Sequence, residues 1–366
     1  MLVAFNDGVA VPLAPAVAAR WGLETLEFYP LTGIHRVRVR SGDVDAAARR
    51  LSSSELVRFA EPNYLFRVAA LVPDDTRYAE QAGYWDLLGG PDAWEISTGD
   101  RSVVVALLDG AVDLDHPDLA ANIWTNEDEI PGNGVDDDGN GFIDDVHGYD
   151  FVGANPGGSV PLGEDNDPDA KPGDPATGDG LDQDGDGEPD GAVGHGTRVA
   201  GILAATGNNG IGVAGTAWQV SIMPLRVTDP EGEGFFSSFV RALEYAVTNG
   251  ADVVNISLAS SVLPQTAAAA VEAALDAGLI LVAAAGNGGL NVSFPAALPG
   301  VIAVGSHGPV EDPASRALFS PRNVGVDIVA PGIDVLSTDV LPITGEPAYA
   351  TSTGTSFSAP FVSGAI

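Results

Sequence analysis

Cysteine is absent from all 366 residues, so no disulfide frame and no thiolate chemistry are available. Any cross-link beyond packing has to come from a metal ion. Positive charge is scarce as well, with 16 Lys and Arg against 51 Asp and Glu, a net charge of -35. Nucleic acid and anionic membrane surfaces repel such a polyanion, and both are excluded as partners. No run of about 18 apolar residues occurs, so no segment reads as a membrane span. The opening Met1-Leu2-Val3-Ala4-Phe5 has neither the basic start nor the long apolar stretch of a signal peptide. A zinc signature of the HExxH type is missing too.

What is present is unevenly distributed. Residues 1–72 carry eight Arg against seven acids, a balance of +1, and the later part carries the remaining -36. The length suits one large domain and one small one. In the small part, Ile34-His35-Arg36-Val37-Arg38-Val39-Arg40 alternates apolar and basic residues, the pattern of a half-buried antiparallel strand. Val44, Ala47, Ala48 and Leu51 fall at helical spacing behind an acidic first turn, which predicts a short amphipathic helix. The order read over residues 1–70 is strand, helix, strand, strand, helix, strand. Residues 71–80, centred on Pro73-Asp74-Asp75, read as a linker, and residues 81–366 as the large domain.

In the large domain the unbroken apolar run Val103 to Leu108 predicts a strand buried on both faces of a parallel sheet, delivering Asp109 at its carboxyl end. Strands at 220–225, 253–257 and 279–284 alternate with helices at 237–249 and 265–277, the pattern of a doubly wound α/β sheet. Gly194-His195-Gly196-Thr197 opens a small-residue helix. Near the end, Gly354-Thr355-Ser356-Phe357-Ser358-Ala359-Pro360 forms a small-residue turn, and there Ser356 is expected to begin a helix. Alone, that last motif also reads as an ordinary helix N-cap.

Together, Asp109 with His116-Pro117-Asp118-Leu119, GHGTRVAG at His195 and GTSFSAP at Ser356 resemble the subtilisin-like serine proteases, or subtilases. The likeness runs from about residue 73 to 366, and the stretch before it resembles the family's ferredoxin-like pro-domain, ending near Ala60-Glu61-Pro62-Asn63-Tyr64. The resemblance implies a secreted endopeptidase acting on protein or peptide substrates. Its own pro-domain would serve as an intramolecular inhibitor, with the pro-domain tail, Glu61 to Arg67, in the cleft. It gives Ser356 the role of nucleophile, His195 that of general base and acid, Asp109 that of orienting the imidazole, and Asn287 that of oxyanion donor. Ser257, Leu258, Ala259, Gly288 and Ser293 would bind substrate, with an apolar, uncharged pocket and broad cleavage after apolar residues.

Three departures stand out. Gly110-Ala111 follow Asp109 where the family has Ser or Thr then Gly, removing a hydroxyl that would steady the carboxylate. Arg198 and Phe361 replace commoner histidines, and Phe357 replaces a frequent Met, an oxidisable thioether. Ile366 falls only ten residues after Ser356, which reads as a chain cut short.

Two acidic loops separate the Asp and His motifs. Asp136, Asp138, Asn140, Phe142, Asp144 and Asp145 form one set with calcium-loop spacing, and Asp182, Asp184, Asp186, Glu188 and Asp190 the other. Neither has glutamate at the twelfth position, where His147 and Val193 stand. The resemblance adds a further calcium site of Asp75, Asp118 and Asn209 side chains, with the carbonyls of Thr206, Ile211 and Val213. The rival readings are a catalytically impaired subtilase homologue and a calcium-dependent binding module.

Overall fold

The structure, a computed structural model, describes residues 1–6, 20–64, 71–152, 164–170, 192–340 and 347–366. It divides into two compact units, Met1–Ala69 and Ala70–Ile366.

In the first unit β1 (Leu2–Phe5), β2 (Leu23–Tyr29), β3 (Ile34–Val39) and β4 (Val57–Glu61) form one sheet in the order β2-β3-β1-β4, antiparallel throughout. The alternation in β3 buries His35, Val37 and Val39 and leaves Arg38 exposed, as period-two patterning requires. The helix Val44–Ser52 begins where Asp43 accepts the Ala46 N–H at 2.9 Å, and it presses Ala47, Ala48 and Leu51 into the core. The first helix read from the sequence would come between β1 and β2, where residues 7–19 lie outside the described residues.

The second unit is built on β5 (Gly99–Asp109), β6 (Tyr149–Asp150), β7 (Gln219–Arg226), β8 (Val253–Ile256), β9 (Ile280–Ala284), β10 (Ile302–Ser306) and β11 (Ile328–Ala330). All seven run parallel, in the order β11-β10-β9-β8-β5-β7-β6. Alternate residues of β5 serve opposite cores. Val105 and Leu107 pack with the helices His195–Ala204 and Ala359–Ala365, while Ala106 and Leu108 pack with Phe236–Thr248 and Gln265–Asp276. Both leucines are fully buried, each contributing roughly 1.5–3 kcal/mol by leaving water. This explains why the run is apolar without alternation, and it leaves Asp109, also fully buried, at the carboxyl edge.

An antiparallel hairpin of β12 (Val335–Asp339) and β13 (Ala348–Ser352) leads into the turn that carries Ser356. Residues 71–80, read as a linker, lie within this second unit. Arg77 donates its N–H to the Gly212 carbonyl at 2.8 Å, Asp75 accepts from Asn208 N at 2.7 Å, and the helix Tyr78–Leu88 follows at once. Among the described residues no helix is long and apolar enough to cross a membrane.

Candidate active site

Asp109 reaches the site from the end of β5 and His195 from the first residue of its helix. Nδ1 of His195 donates to Oδ1 of Asp109 at 2.6 Å. The Gly110 N–H donates to the same oxygen at 2.7 Å. With Nδ1 committed as a donor, Nε2 is the nitrogen left to exchange a proton with a reacting group. Oδ2 of Asp109 is buried and has no hydrogen-bond partner among the described residues.

Ser356 lies in a 3-10 turn, Thr355–Phe357, and the α-helix begins only at Ala359, three residues later than the sequence suggested. The cause is Pro360. In an α-helix the Ser356 carbonyl would accept from residue 360, and proline has no N–H to give. The hydroxyl of Ser257 takes that place, donating to the Ser356 carbonyl at 2.7 Å. Gly354 stands before the turn at φ 155°, and an added Cβ there would sit 3.3 Å from Nδ2 of Asn287.

Asn287 follows β9 and Gly286, whose φ of 99° turns the chain and whose missing Cβ clears the Ser293 hydroxyl. Oδ1 of Asn287 accepts from the Thr355 N–H at 2.9 Å and from the Thr355 hydroxyl at 3.0 Å. Thr355 Oγ1 in turn accepts the Gly286 N–H at 3.0 Å. With Oδ1 so engaged, the amide Nδ2 is the end left to donate, next to the turn that carries Ser356. The sequence reading did not single out Thr355 in this role, because its partners lie 68 and 69 residues away.

His195, Ser356 and Asn287 line one cleft of about 590 Å³ together with Ser257, Leu258 and Ala259. Gly288 and Ser293, also named from sequence, are not among its lining residues; Ser293 instead donates its N–H to the Ala285 carbonyl at 2.9 Å. The cleft adds Thr228, Gly232 to Phe236, Phe239, Phe294 and Pro295, which the sequence reading missed. The aromatic pair Phe235-Phe236 at a helix start was the one available signal. Phe357 is buried with its ring 5.2 Å from the His195 imidazole. Arg198, one turn beyond His195, holds Asp339 of β12 through Nε at 3.0 Å and so braces that helix.

The acidic residues fall into two groups. Asp118 is fully buried; its Oδ1 accepts from Asn209 Nδ2 at 2.8 Å, and its Oδ2 from Val213 N at 3.0 Å and Tyr349 OH at 2.9 Å. Burial pushes the Asp118 carboxyl above its ordinary range and the nearby Asp75 charge adds to the shift; Asp75, buried in its turn, is raised chiefly by burial. Thr206 joins the group through its N–H to the Asp118 carbonyl, and Ile211 through its N–H to Asn209 Oδ1.

In the loop at 126–145, Glu129, Asp138 and Asp145 bring one oxygen each to within 4.8 Å of one another. Oδ1 of Asp145 is buried without a hydrogen-bond partner among the described residues. Glu129 was not named from the sequence. Asp136 spends its oxygens on the Gly139 and Gly141 N–H groups and Asp144 on those of Asn133 and Gly134, while Asn140 bridges Asp138 and Asp145 through Nδ2. The Phe142 ring packs against Tyr149 and Tyr245. Asp182, Asp184, Asp186, Glu188 and Asp190 lie outside the described residues.

Residues 100–366 match the subtilase family, and residues 1–63 match the fervidolysin N-terminal prodomain. A thermophilic serine proteinase from Bacillus sp. (strain AK1) is 35% identical over 332 residues, covering 89% of this chain and 66% of its own length. Thermitase from Thermoactinomyces vulgaris is 31% identical, covering 80% of this chain and 83% of its own. Subtilisin BL from Lederbergia lenta is 40% identical over 53% of this chain and 65% of its own. The chain therefore spans just under two thirds of the first and third of these. A solved protease structure from Pseudoalteromonas arctica PAMC 21717 superposes with a TM-score of 0.62 at 31% identity, covering 80% of this chain and 85% of that one.

Proposed function

The chain belongs to the subtilase family, and from that premise we propose that it is a serine endopeptidase cleaving protein or peptide substrates through Asp109, His195 and Ser356. The observation that carries this reading is the 2.6 Å bond between His195 and Asp109 in a cleft that Ser356 and Asn287 also line. His195 takes the Ser356 proton as the hydroxyl attacks the substrate carbonyl, and the Asp109 carboxylate favours the imidazolium that forms. The oxyanion is met by the Ser356 N–H and the Asn287 amide. His195 then returns the proton to the leaving amine. Leu258, Phe236, Phe239 and Phe294 supply the apolar part of the lining, which supports broad cleavage after apolar residues, while Glu233 also lines the cleft, so it is not uncharged as the sequence suggested.

Residues 1–63 act in this reading as the inhibitory pro-domain, supported by the prodomain match. Work outside the cell rests on the family resemblance. Calcium is the structural ion. Asp75, Asp118 and Asn209 would hold one ion and Glu129, Asp138 and Asp145 another; both sets offer the hard oxygen ligands that calcium takes. The fit is supported by the mutual charge of Asp75 and Asp118 and by the unpartnered Asp145 oxygen, each of which a cation would relieve. Such an ion would supply stability and no chemical step.

The test is labelling by phenylmethylsulfonyl fluoride. Loss of peptide turnover with the label on Ser356, and no turnover in Ser356→Ala, is the expected result; a label on another residue would sink the assignment.

A further inference from the structure

Three buried side chains run in line from the helix after the nucleophile back to the nucleophile itself. The Ser363 hydroxyl donates to Asn255 Oδ1 at 2.8 Å, Asn255 Nδ2 donates to Ser257 Oγ at 3.0 Å, and Ser257 Oγ donates to the Ser356 carbonyl at 2.7 Å. Ser363, Asn255 and Ser257 are each no more than 2% exposed, so water does not substitute for any link. Asn255 is also the one polar residue in the strand Val253–Ile256, whose four residues are all buried. Sheet packing gives it no reason to be polar.

The direction of the chain is forced. A carbonyl only accepts, so the single Ser257 proton goes to Ser356. Ser257 then has only lone pairs to offer Asn255, which must present its NH₂, leaving Oδ1 toward Ser363. Ser363 has a second acceptor in the Ala359 carbonyl, but at 3.3 Å it is the longer of the two. The vacancy that the chain fills is the one made by Pro360, which cannot donate to the Ser356 carbonyl.

We propose that Ser363 is a positioning residue for the nucleophile, acting through Asn255 and Ser257. It fixes which way the Asn255 amide faces, and that amide fixes where the Ser257 proton points. Without the Ser363 hydroxyl, the amide is free to turn over and present Oδ1 to Ser257. The Ser257 proton then swings to that oxygen, the Ser356 carbonyl loses its donor, and the nucleophile turn is released from the strand end that binds substrate. The effect crosses from one helix turn to another by way of the sheet. The inference rests on Ser356 being the nucleophile.

Ser363→Ala removes one oxygen from a helix and introduces the best helix former, so the variant is expected to fold. Its kcat for peptide hydrolysis and its rate of fluorophosphonate labelling at Ser356 are expected to fall roughly tenfold, with KM nearly unchanged, because the loss is in alignment rather than substrate binding. Ser363→Thr keeps the hydroxyl and is expected to recover most of the rate. Ser257→Ala combined with Ser363→Ala is expected to label no more slowly than Ser257→Ala alone, since both cut the same chain. Labelling of Ser363→Ala at the wild-type rate, or a slowing that Thr does not relieve, or additive losses in the pair would each overturn the proposal. A wild-type protein that takes no label at Ser356 would overturn the nucleophile reading and this proposal with it.

Discussion

Asp109 holds His195 by one oxygen: Oδ1 lies 2.6 Å from Nδ1, while Oδ2 is buried with no hydrogen-bond partner among the described residues. An unmatched buried carboxylate oxygen is costly, and it leaves the carboxylate one bond short of a fixed plane. The gap lies beside Gly110, where the sequence already shows a missing hydroxyl.

Gly110→Ser is therefore expected to help. An added Cβ meets nothing closer than the Thr228 hydroxyl at 3.4 Å, so the side chain has room. A charge-assisted bond to Oδ2 is expected to raise kcat/KM about threefold and to raise the melting temperature as well. Steady-state kinetics with thermal unfolding on the same preparation checks both, and a fall in both would mean that Oδ2 is already served.

Asn287→Ala is expected to lower kcat by about 10²–10³, the loss measured for the corresponding donor in subtilisin, with little change in KM. Ala also removes the oxygen that accepts the Thr355 N–H and hydroxyl, leaving Thr355 only its bond from the Gly286 N–H, so the loss combines the missing donor with a loosened Ser356 turn. A loss below about fivefold would show that the oxyanion is met elsewhere.

Chelation of calcium is expected to lower the melting temperature and hasten self-digestion, while the initial turnover rate is kept. Binding to the native state alone contributes about 2.7 kcal/mol per site at a hundredfold excess over Kd. Glu129→Gln and Asp138→Asn together should reproduce part of the shift. Superimposed melting curves with calcium and with chelator would rule the ion out.

The N-terminal unit is expected to weaken in mild acid through His35. This ring is buried between Phe5 and Phe28, with centroids 5.4 and 4.6 Å away, and burial pushes its pKa down. Below the unfolded value of about 6.5 the unfolded chain takes up a proton that the folded unit resists, so stability present above that pH is lost as pH falls. Hydrogen exchange of the β3 amides across this range measures the slope. His35→Leu should flatten it; an unchanged slope would assign the loss to other groups.

Sequence and structure agree wherever the signal is local. The strand at Val103 to Leu108 and the helix at Val44 to Leu51 were legible because one residue's neighbours decide its face. The three motifs around Asp109, His195 and Ser356 were legible for the same reason. Beyond Ala284 the strand pattern fades, because the sheet is running out to its edge: β11 has three residues, with Ile328 and Val329 exposed. The Thr355 anchor on Asn287 and the Ser363 chain were invisible because each joins segments 68 to 108 residues apart. In the loop at 126–145 the spacing pointed to Asp136 and Asp144, but the nearest N–H groups turn those two carboxylates aside, and the cluster gathers on Glu129 instead.

In a newly made chain the Thr355 anchor is a long-range joint, between segments 68 residues apart. The proposed nucleophile and oxyanion donor come from distant segments that meet where the end of β9 packs against the turn after β13, and Thr355 makes the connection through its N–H and its hydroxyl. In the proposed reading, a molecule in which these segments have not met has the serine without its Asn287 donor, and its cutting power is expected to be lower by about 10²–10³. In that reading, proteolytic competence is expected to wait for this one long-range contact.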